Sequence, residues 1–213
     1  MATSRPDIRG VVLAGGAASR YGGVPKGLLT VGGRRILDRV VESLHAVTGA
    51  LPLLVANAPD AATWRPDVQT IPDTRPGFGS LGGIYTAVTA GGAGGRPVLC
   101  LAWDMPFVPE PLLRALVEGA AAGDYDAFLP ESSGRRGLEP LCAVYGPACG
   151  PAIASRLDRG ELRAISFHAD VRVGILPLAE VRKVGGGDPD ELFFNVNTPA
   201  DLERAEALWR RRG

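Results

Sequence analysis

The stretch Ile8–Gly16, IRGVVLAGG, is a short apolar run that stops at two glycines. Apolar residues without polar alternation, closed by a turn signal, predict a buried strand over Ile8–Ala14. Downstream, Ile36–Val47 places Ile36, Leu37, Val40, Val41, Leu44 and Val47 at helical spacing. A strand, a glycine-rich loop and an amphipathic helix together open a strand–helix repeat.

The repeat continues. Leu51–Ala56 and Val68–Ile71 read as strands, and Leu81–Val88 as a helix. Pro97–Ala102 is a further buried strand, and Pro109–Ala121 a helix with proline in its first turn, a favoured place. Ala127–Leu129, Pro140–Tyr145 and Val171–Leu176 read as later strands. Helices are expected at Pro147–Leu157, Leu162–His168 and about Ala200–Arg211, the last preceded by an apolar strand end at Phe193–Val196. This alternation predicts an α/β fold: a three-layer, Rossmann-like, mostly parallel sheet with helices on both faces. Sheets of this kind bind ligands beyond the C-terminal ends of their strands. Ala14–Lys26, Pro72–Gly83 and Trp103–Pro106 occupy those places.

The chain has 213 residues with 23 basic and 23 acidic side chains, so its formal net charge is zero. That balance argues against general binding to nucleic acid or to a membrane surface. No apolar run approaches the ~18 residues of a membrane span. Cys100, Cys142 and Cys149 form no CxxC pair, which disfavours structural zinc. Free thiols and a start without an apolar leader segment point to the cytoplasm. Glycine is the outlier at 29 residues, seven of them between Gly15 and Gly33 and four between Gly77 and Gly83.

Four motifs carry chemistry. In LAGGAASRYGGVPKGLL, Leu13–Leu29, glycines let backbone amides approach phosphates while Arg20 and Lys26 neutralise their charge. It is not a Walker A loop, because Pro25 precedes Lys26 and Gly27 follows it. GFGSLG, Gly77–Gly82, matches the dinucleotide pattern GxGxxG, but Pro72–Pro76 separate it from the preceding strand. Asp104 in AWDMPF ends a buried strand, a suitable place for a carboxylate holding Mg²⁺. In FFNVNTPADL, Asn195 and Asn197 share parity and on a strand face one side, while Thr198 caps the helix opened by Pro199. Asn57 and Asp73 each follow a strand and serve either as turn formers or as nucleoside contacts. Ser19 has no histidine or acid arranged near it in sequence, so a nucleophilic triad is unsupported.

Together these segments resemble the molybdenum cofactor guanylyltransferase (MobA-type) family of nucleotidyltransferases. Leu13–Gly16 is similar to the family's LAGG. Arg20, Gly22, Gly23, Lys26 and Gly27–Leu29 are similar to its R-x-G-G-x-x-K-G-L-L loop. Asp73 with PGFGSLGG resembles the D…GPLAG segment, WDMPF resembles the C-D-x-P metal site, and Phe194–Asp201 resembles F-x-N-x-N-T-P-x-D. The resemblance implies that Leu13, Ala14, Gly15 and Gly16 meet the nucleotide and that Gly82 lies in its loop. It further implies that Lys26 binds phosphates, Asn57 and Asp73 lie by guanosine, Asp104 binds Mg²⁺, and Asn195 and Asn197 belong to the molybdopterin side. The related cytidylyltransferases usually have LAAG, so Gly16 favours GTP. The chain departs from the family pattern at Tyr21, Pro25, Trp103 and Glu139.

The resemblance implies transfer of GMP from GTP to molybdopterin with release of pyrophosphate. Lys26, Arg20 and Asp104 are the expected catalytic groups. Residues 1–213 are expected to form one nucleotidyltransferase domain, with a nucleotide-binding half at about 1–108 and an acceptor-binding half at about 109–213. The expected partners are GTP, molybdopterin and, transiently, other proteins of molybdenum cofactor biosynthesis, with no nucleic acid or membrane. Two alternatives stand beside this reading. One is a nucleotidyltransferase of the same fold using another acceptor, such as a sugar phosphate. The other is a non-catalytic nucleotide- or NAD-binding module.

Overall fold

The computed structural model describes residues 7–15, 24–134 and 137–212. The first apolar run forms strand β1, Arg9–Leu13, whose four residues after Arg9 are all buried. A short 3₁₀ turn at Lys26–Leu28 leads into a hairpin of β2, Thr30–Val31, and β3, Arg34–Arg35. Gly32 and Gly33 turn it with φ of 57° and 73°, the left-handed pair that tight hairpins require. Helix α1, Ile36–Thr48, buries the apolar stripe read from the sequence and ends on left-handed Gly49.

Strand β4, Leu53–Val55, the short helix α2, Ala61–Trp64, and strand β5, Thr70–Ile71, follow. Helix α3, Gly79–Thr86, crosses back to β6, Val98–Ala102, which is buried throughout. Helix α4, Glu110–Ala122, precedes β7, Ala127–Pro130, β8, Cys142–Tyr145, and helix α5, Cys149–Asp158. The chain closes through β9, Val173–Leu176, and helices α6, Leu178–Gly185, α7, Pro189–Leu192, and α8, Pro199–Arg212.

The main sheet has seven strands in the order β5-β4-β1-β6-β8-β7-β9. Strands β5, β4, β1 and β6 run parallel, and β7 pairs parallel with β9. Only β8 runs antiparallel to its neighbours β6 and β7. Alternate residues of each central strand enter opposite cores. Val12, Leu54, Leu99 and Leu101 pack beneath α1 and α4, whereas Val11, Leu53, Val55 and Cys100 pack beneath α3 and α5. This is the expected three-layer, mostly parallel arrangement. The chain leaves β1 for β4 and later returns to β6 on β1's other side, so the order of connection reverses between β1 and β6. A crevice opens at that switch point, where such folds hold ligands.

Several segments differ from the sequence reading, among them the β2–β3 hairpin and the short helices α2 and α7, to which it gave no element. Leu162–His168 is not an α-helix: its backbone closes tight three-residue turns, Ser166 N–H to Arg163 and His168 N–H to Ile165. Leu162 is exposed, so the segment offers only Ala164 and Phe167 to the core, too little to hold a helical stripe. Phe193–Val196 is not a strand. It has no strand partner, and its Val196 N–H bonds instead to the carbonyl of Asp104 at 2.9 Å. Helix α6 follows the strand read at Val171–Leu176 and occupies a stretch to which the sequence reading gave no element.

Helix α8 reaches back to the hairpin. Glu206 Oε1 accepts the Gly32 N–H at 2.9 Å, and the Arg39 guanidinium stands 3.9 Å over the Trp209 ring. A Cβ on Gly32 would lie 2.1 Å from Trp209 Nε1, so the close fit needs glycine there. The far end of the chain thereby fixes the segment that follows Lys26.

Candidate active site

The loops leaving the C-terminal ends of β1, β4, β5 and β6 meet over the crevice. Beyond β1, Leu13 and Gly15 line a cleft of about 260 Å³ that also exposes Lys26, Asp73, Asp104, Asn195 and Asn197. A contiguous cleft of about 610 Å³ runs past Ala14 and Gly15 toward Asn57, Trp64 and Asp73. A third, about 330 Å³, continues past Ser80 and Leu141 to Ser132, Glu139 and Pro140. Gly15 and Gly79 keep the floor open: a Cβ on either would meet nothing within 4 Å.

Lys26 begins the 3₁₀ turn after Pro25 and is only 7% exposed. Its Nζ donates to Asn197 Oδ1 at 2.5 Å and lies 3.7 Å from Asp104 Oδ2. The turn can sit so deep because residue 27 is glycine: a Cβ there would be 2.4 Å from Trp103 Cε3. Trp103 stacks on Trp64 with ring centroids 5.1 Å apart and planes 19° from parallel. Its indole Nε1 is buried and has no hydrogen-bond partner among the described residues.

Asp104 sits just past β6, where its side chain is 13% exposed. Burial pushes its carboxyl above the ordinary carboxylate range, and Lys26 partly offsets this. Asn57 and Asp73 pair side by side across adjacent strand ends. Asn57 Nδ2 donates to Asp73 Oδ2 at 2.7 Å, and the Asp73 N–H donates to Asn57 Oδ1 at 2.8 Å. Asp73 Oδ1 is buried without a partner among the described residues. The loop after β5 is anchored by Thr86, whose Oγ1 accepts the Thr74 N–H at 3.0 Å and donates to the Gly82 carbonyl. Arg75 ties the same loop to Asp158 of α5 at 2.5 Å.

The structure thus brings Leu13, Ala14, Gly15, Lys26, Asn57, Asp73, Asp104, Asn195 and Asn197 around one pair of clefts. Gly16 and Arg20 lie outside the described residues. Gly82 sits off the cleft, packed against the Arg75 carbonyl and Phe78, while its neighbour Gly83 lines it. Asn195 turns its amide onto the Phe193 carbonyl at 2.9 Å. Ser80, Gly83, Leu141 and Trp64 line the clefts although nothing in their residue types pointed to a site. GFGSLG follows the edge strand β5 rather than β1 at the switch point, so it lacks the setting of a dinucleotide fingerprint. Among the described residues no group of three or more His, Cys, Asp or Glu could hold a metal. Asp104 shares the first cleft with another carboxylate, Asp73.

A switch-point crevice with an open glycine floor, one buried lysine and a mostly buried carboxylate suits an α/β protein that takes a phosphorylated ligand. The chain belongs to the MobA-like NTP transferase domain family, whose model matches residues 10–172. It is 33% identical over 202 residues to a molybdenum cofactor guanylyltransferase of Desulfosudis oleivorans, covering 94% of this chain and 95% of that one. A molybdenum cofactor guanylyltransferase of Acidiphilium cryptum is 36% identical over 203 residues, covering 94% of each chain. Among solved structures, the molybdopterin-guanine dinucleotide biosynthesis protein A of Archaeoglobus fulgidus superposes with a TM-score of 0.78 at 26% identity. That alignment covers 96% of this chain and all of the other.

Proposed function

We propose that the protein transfers GMP from GTP to molybdopterin, releasing pyrophosphate. The observation that carries this is the Lys26–Asp104 pair, buried at the switch point of a chain whose relatives are named for that reaction. The terminal phosphate of molybdopterin attacks the α-phosphorus of GTP in line, and pyrophosphate leaves opposite. A phosphate monoester is already anionic, so no side-chain base is needed. The protein's contribution is positioning and charge neutralisation.

In this reading the backbone at Leu13–Gly15 and the Asn57–Asp73 pair hold the nucleoside in the larger cleft. Lys26, with Arg20, meets negative charge building on the departing pyrophosphate. Asp104 fits a magnesium ion. Mg²⁺ takes one or two carboxylates and completes its shell with water and substrate phosphates, and Asp104 offers one hard oxygen donor set beside the phosphate cleft. When bound, such an ion neutralises phosphate charge. In this reading the acceptor enters from the third cleft, with residues 1–108 mainly on the nucleotide side and 109–213 mainly on the acceptor side of a single domain. Three buried free thiols fit a reducing cytoplasm. Transient docking to other proteins of the same biosynthesis would deliver the acceptor.

The test is pyrophosphate release across the four NTPs, with and without molybdopterin. Release with GTP that depends on molybdopterin is expected; release with GTP independent of it, or none at all, defeats the proposal. One observation favours a second acceptor class. Glu139 brings a carboxylate, an acceptor for the hydroxyl groups of a sugar, to the third cleft. Sugar 1-phosphates in the same assay distinguish the two.

A further inference from the structure

We propose that Asp201 is a positioning residue for Lys26, acting through Asn197. A lysine ammonium on a four-carbon stem has no fixed direction of its own. In this protein Lys26 is directed by Asn197 Oδ1 at 2.5 Å, a residue 171 positions away in sequence. Asn197 lies in irregular chain, so no strand ladder sets its orientation. Two anchors set it instead.

The first anchor precedes it: the Val196 N–H donates to the Asp104 carbonyl at 2.9 Å. The second follows it. Asp201 Oδ2 accepts both the Thr198 N–H at 2.8 Å and the Asn197 N–H at 3.0 Å, while the Asp201 N–H donates to Thr198 Oγ1 at 3.2 Å. The exchange between Thr198 and Asp201 is a capping box, which starts helix α8. A cap alone needs only that exchange. The additional bond to the Asn197 N–H reaches one residue outside the helix and fixes the peptide that carries the lysine's partner. Asn197, whose family resemblance places it on the acceptor side, therefore also faces the nucleotide side.

The chain has only two lysines, Lys26 and Lys183. Their side chains are 9% and 73% exposed. The full-length protein labelled with ¹⁵N at lysine therefore gives two side-chain ammonium signals, of which the slowly exchanging one belongs to Lys26. N197A and D201A are both expected to abolish that signal, whereas T198A, which removes the hydroxyl acceptor of the capping box, keeps it and lowers Tm. D201N retains an acceptor oxygen and is expected to keep the signal. If D201A fails to fold, D201N and T198A decide. A wild-type Lys26 signal in folded D201A, or its loss in folded D201N or T198A, overturns the proposal.

The kinetic arm rests on the guanylyl-transfer reading. D201A and N197A should each lower kcat/KM for the nucleotide by about tenfold, and the double variant by no more than either alone. Losses that multiply would overturn the proposal. A wild-type protein without turnover defeats the functional reading and leaves the ammonium signal, which needs no substrate, to decide the positioning.

Discussion

Lys26 Nζ lies 3.7 Å from Asp104 Oδ2, with both side chains nearly removed from solvent. Two oppositely charged groups are drawn to one spot by chain segments on either side of the switch point. Taking both out of water costs free energy that their mutual attraction only partly returns. The raised pKa of Asp104 reports that balance, because burial is its largest cause and Lys26 pulls the other way. Such a pair is better explained by a phosphate-bearing ligand than by stability.

Lys26→Ala and Asp104→Ala are expected to lower turnover by about 10²–10³ each, the usual loss for a transition-state charge partner. Their far-ultraviolet circular dichroism should match that of the wild type. Near-normal pyrophosphate release from either folded variant would remove that residue from the mechanism.

Asp104 also predicts a pH dependence. The folded protein holds the Asp104 proton more tightly than the unfolded chain does, because the folded pKa is raised above 3.8. The group's contribution to stability is therefore greatest below the unfolded pKa and is lost as pH rises through the folded value. Asp104→Asn lacks this titration, so its stability relative to wild type should improve as pH rises across that window. Urea unfolding of both proteins at a series of pH values measures it. A stability difference that stays flat or moves the other way contradicts the assignment.

Gly27→Ala places a methyl group 2.4 Å from the Trp103 ring, which is itself stacked on Trp64. Overpacking of this kind costs about 1–3 kcal/mol. The loss should be much smaller when Trp103→Ala is already present, since the obstruction is then gone. Thermal melts of the two single variants and the double variant show whether the clash is with Trp103.

At the far end of the sheet, Arg172 grips Asp126 through its guanidinium and its own backbone N–H. Those bonds hold the Asp126 carboxyl down to about 2. The contribution is present above the unfolded value of 3.8 and is lost as pH falls through the folded value. Carboxyl-carbon NMR should show Asp126 titrating near that pH in the wild type and at a higher pH in Arg172→Gln, which loses the guanidinium but keeps the backbone N–H bond.

The parts of the fold that could be read from residues are those where local pattern and burial agree. β1 and β6 are continuous apolar runs because both of their faces are covered, and α1 shows an unbroken stripe. Helix α6 went unread because it is short and runs into three glycines. Leu162–His168 looked helical because Ala164 and Phe167 share a face, but two buried residues do not hold a helix. The candidate site was legible where a residue type is unusual for its place, as with Lys26 among glycines or Asp104 after an apolar strand. What could not be read was proximity across the chain. No local pattern links Lys26 to Asn197, Gly27 to Trp103, or Gly32 to Trp209, since each contact exists only after the sheet has brought distant loops together.

The bond from Asn197 to Lys26 also sets an order of events during synthesis. Every strand of the sheet lies before Pro177 in the chain's order of synthesis, so Asn197 and helix α8 are the last of these parts to leave the ribosome. Until then Lys26 lacks its direct hydrogen-bond partner, and the hairpin behind it lacks Glu206 and Trp209. A chain interrupted before Asn197 would lack the side chain that directs Lys26 into the cleft.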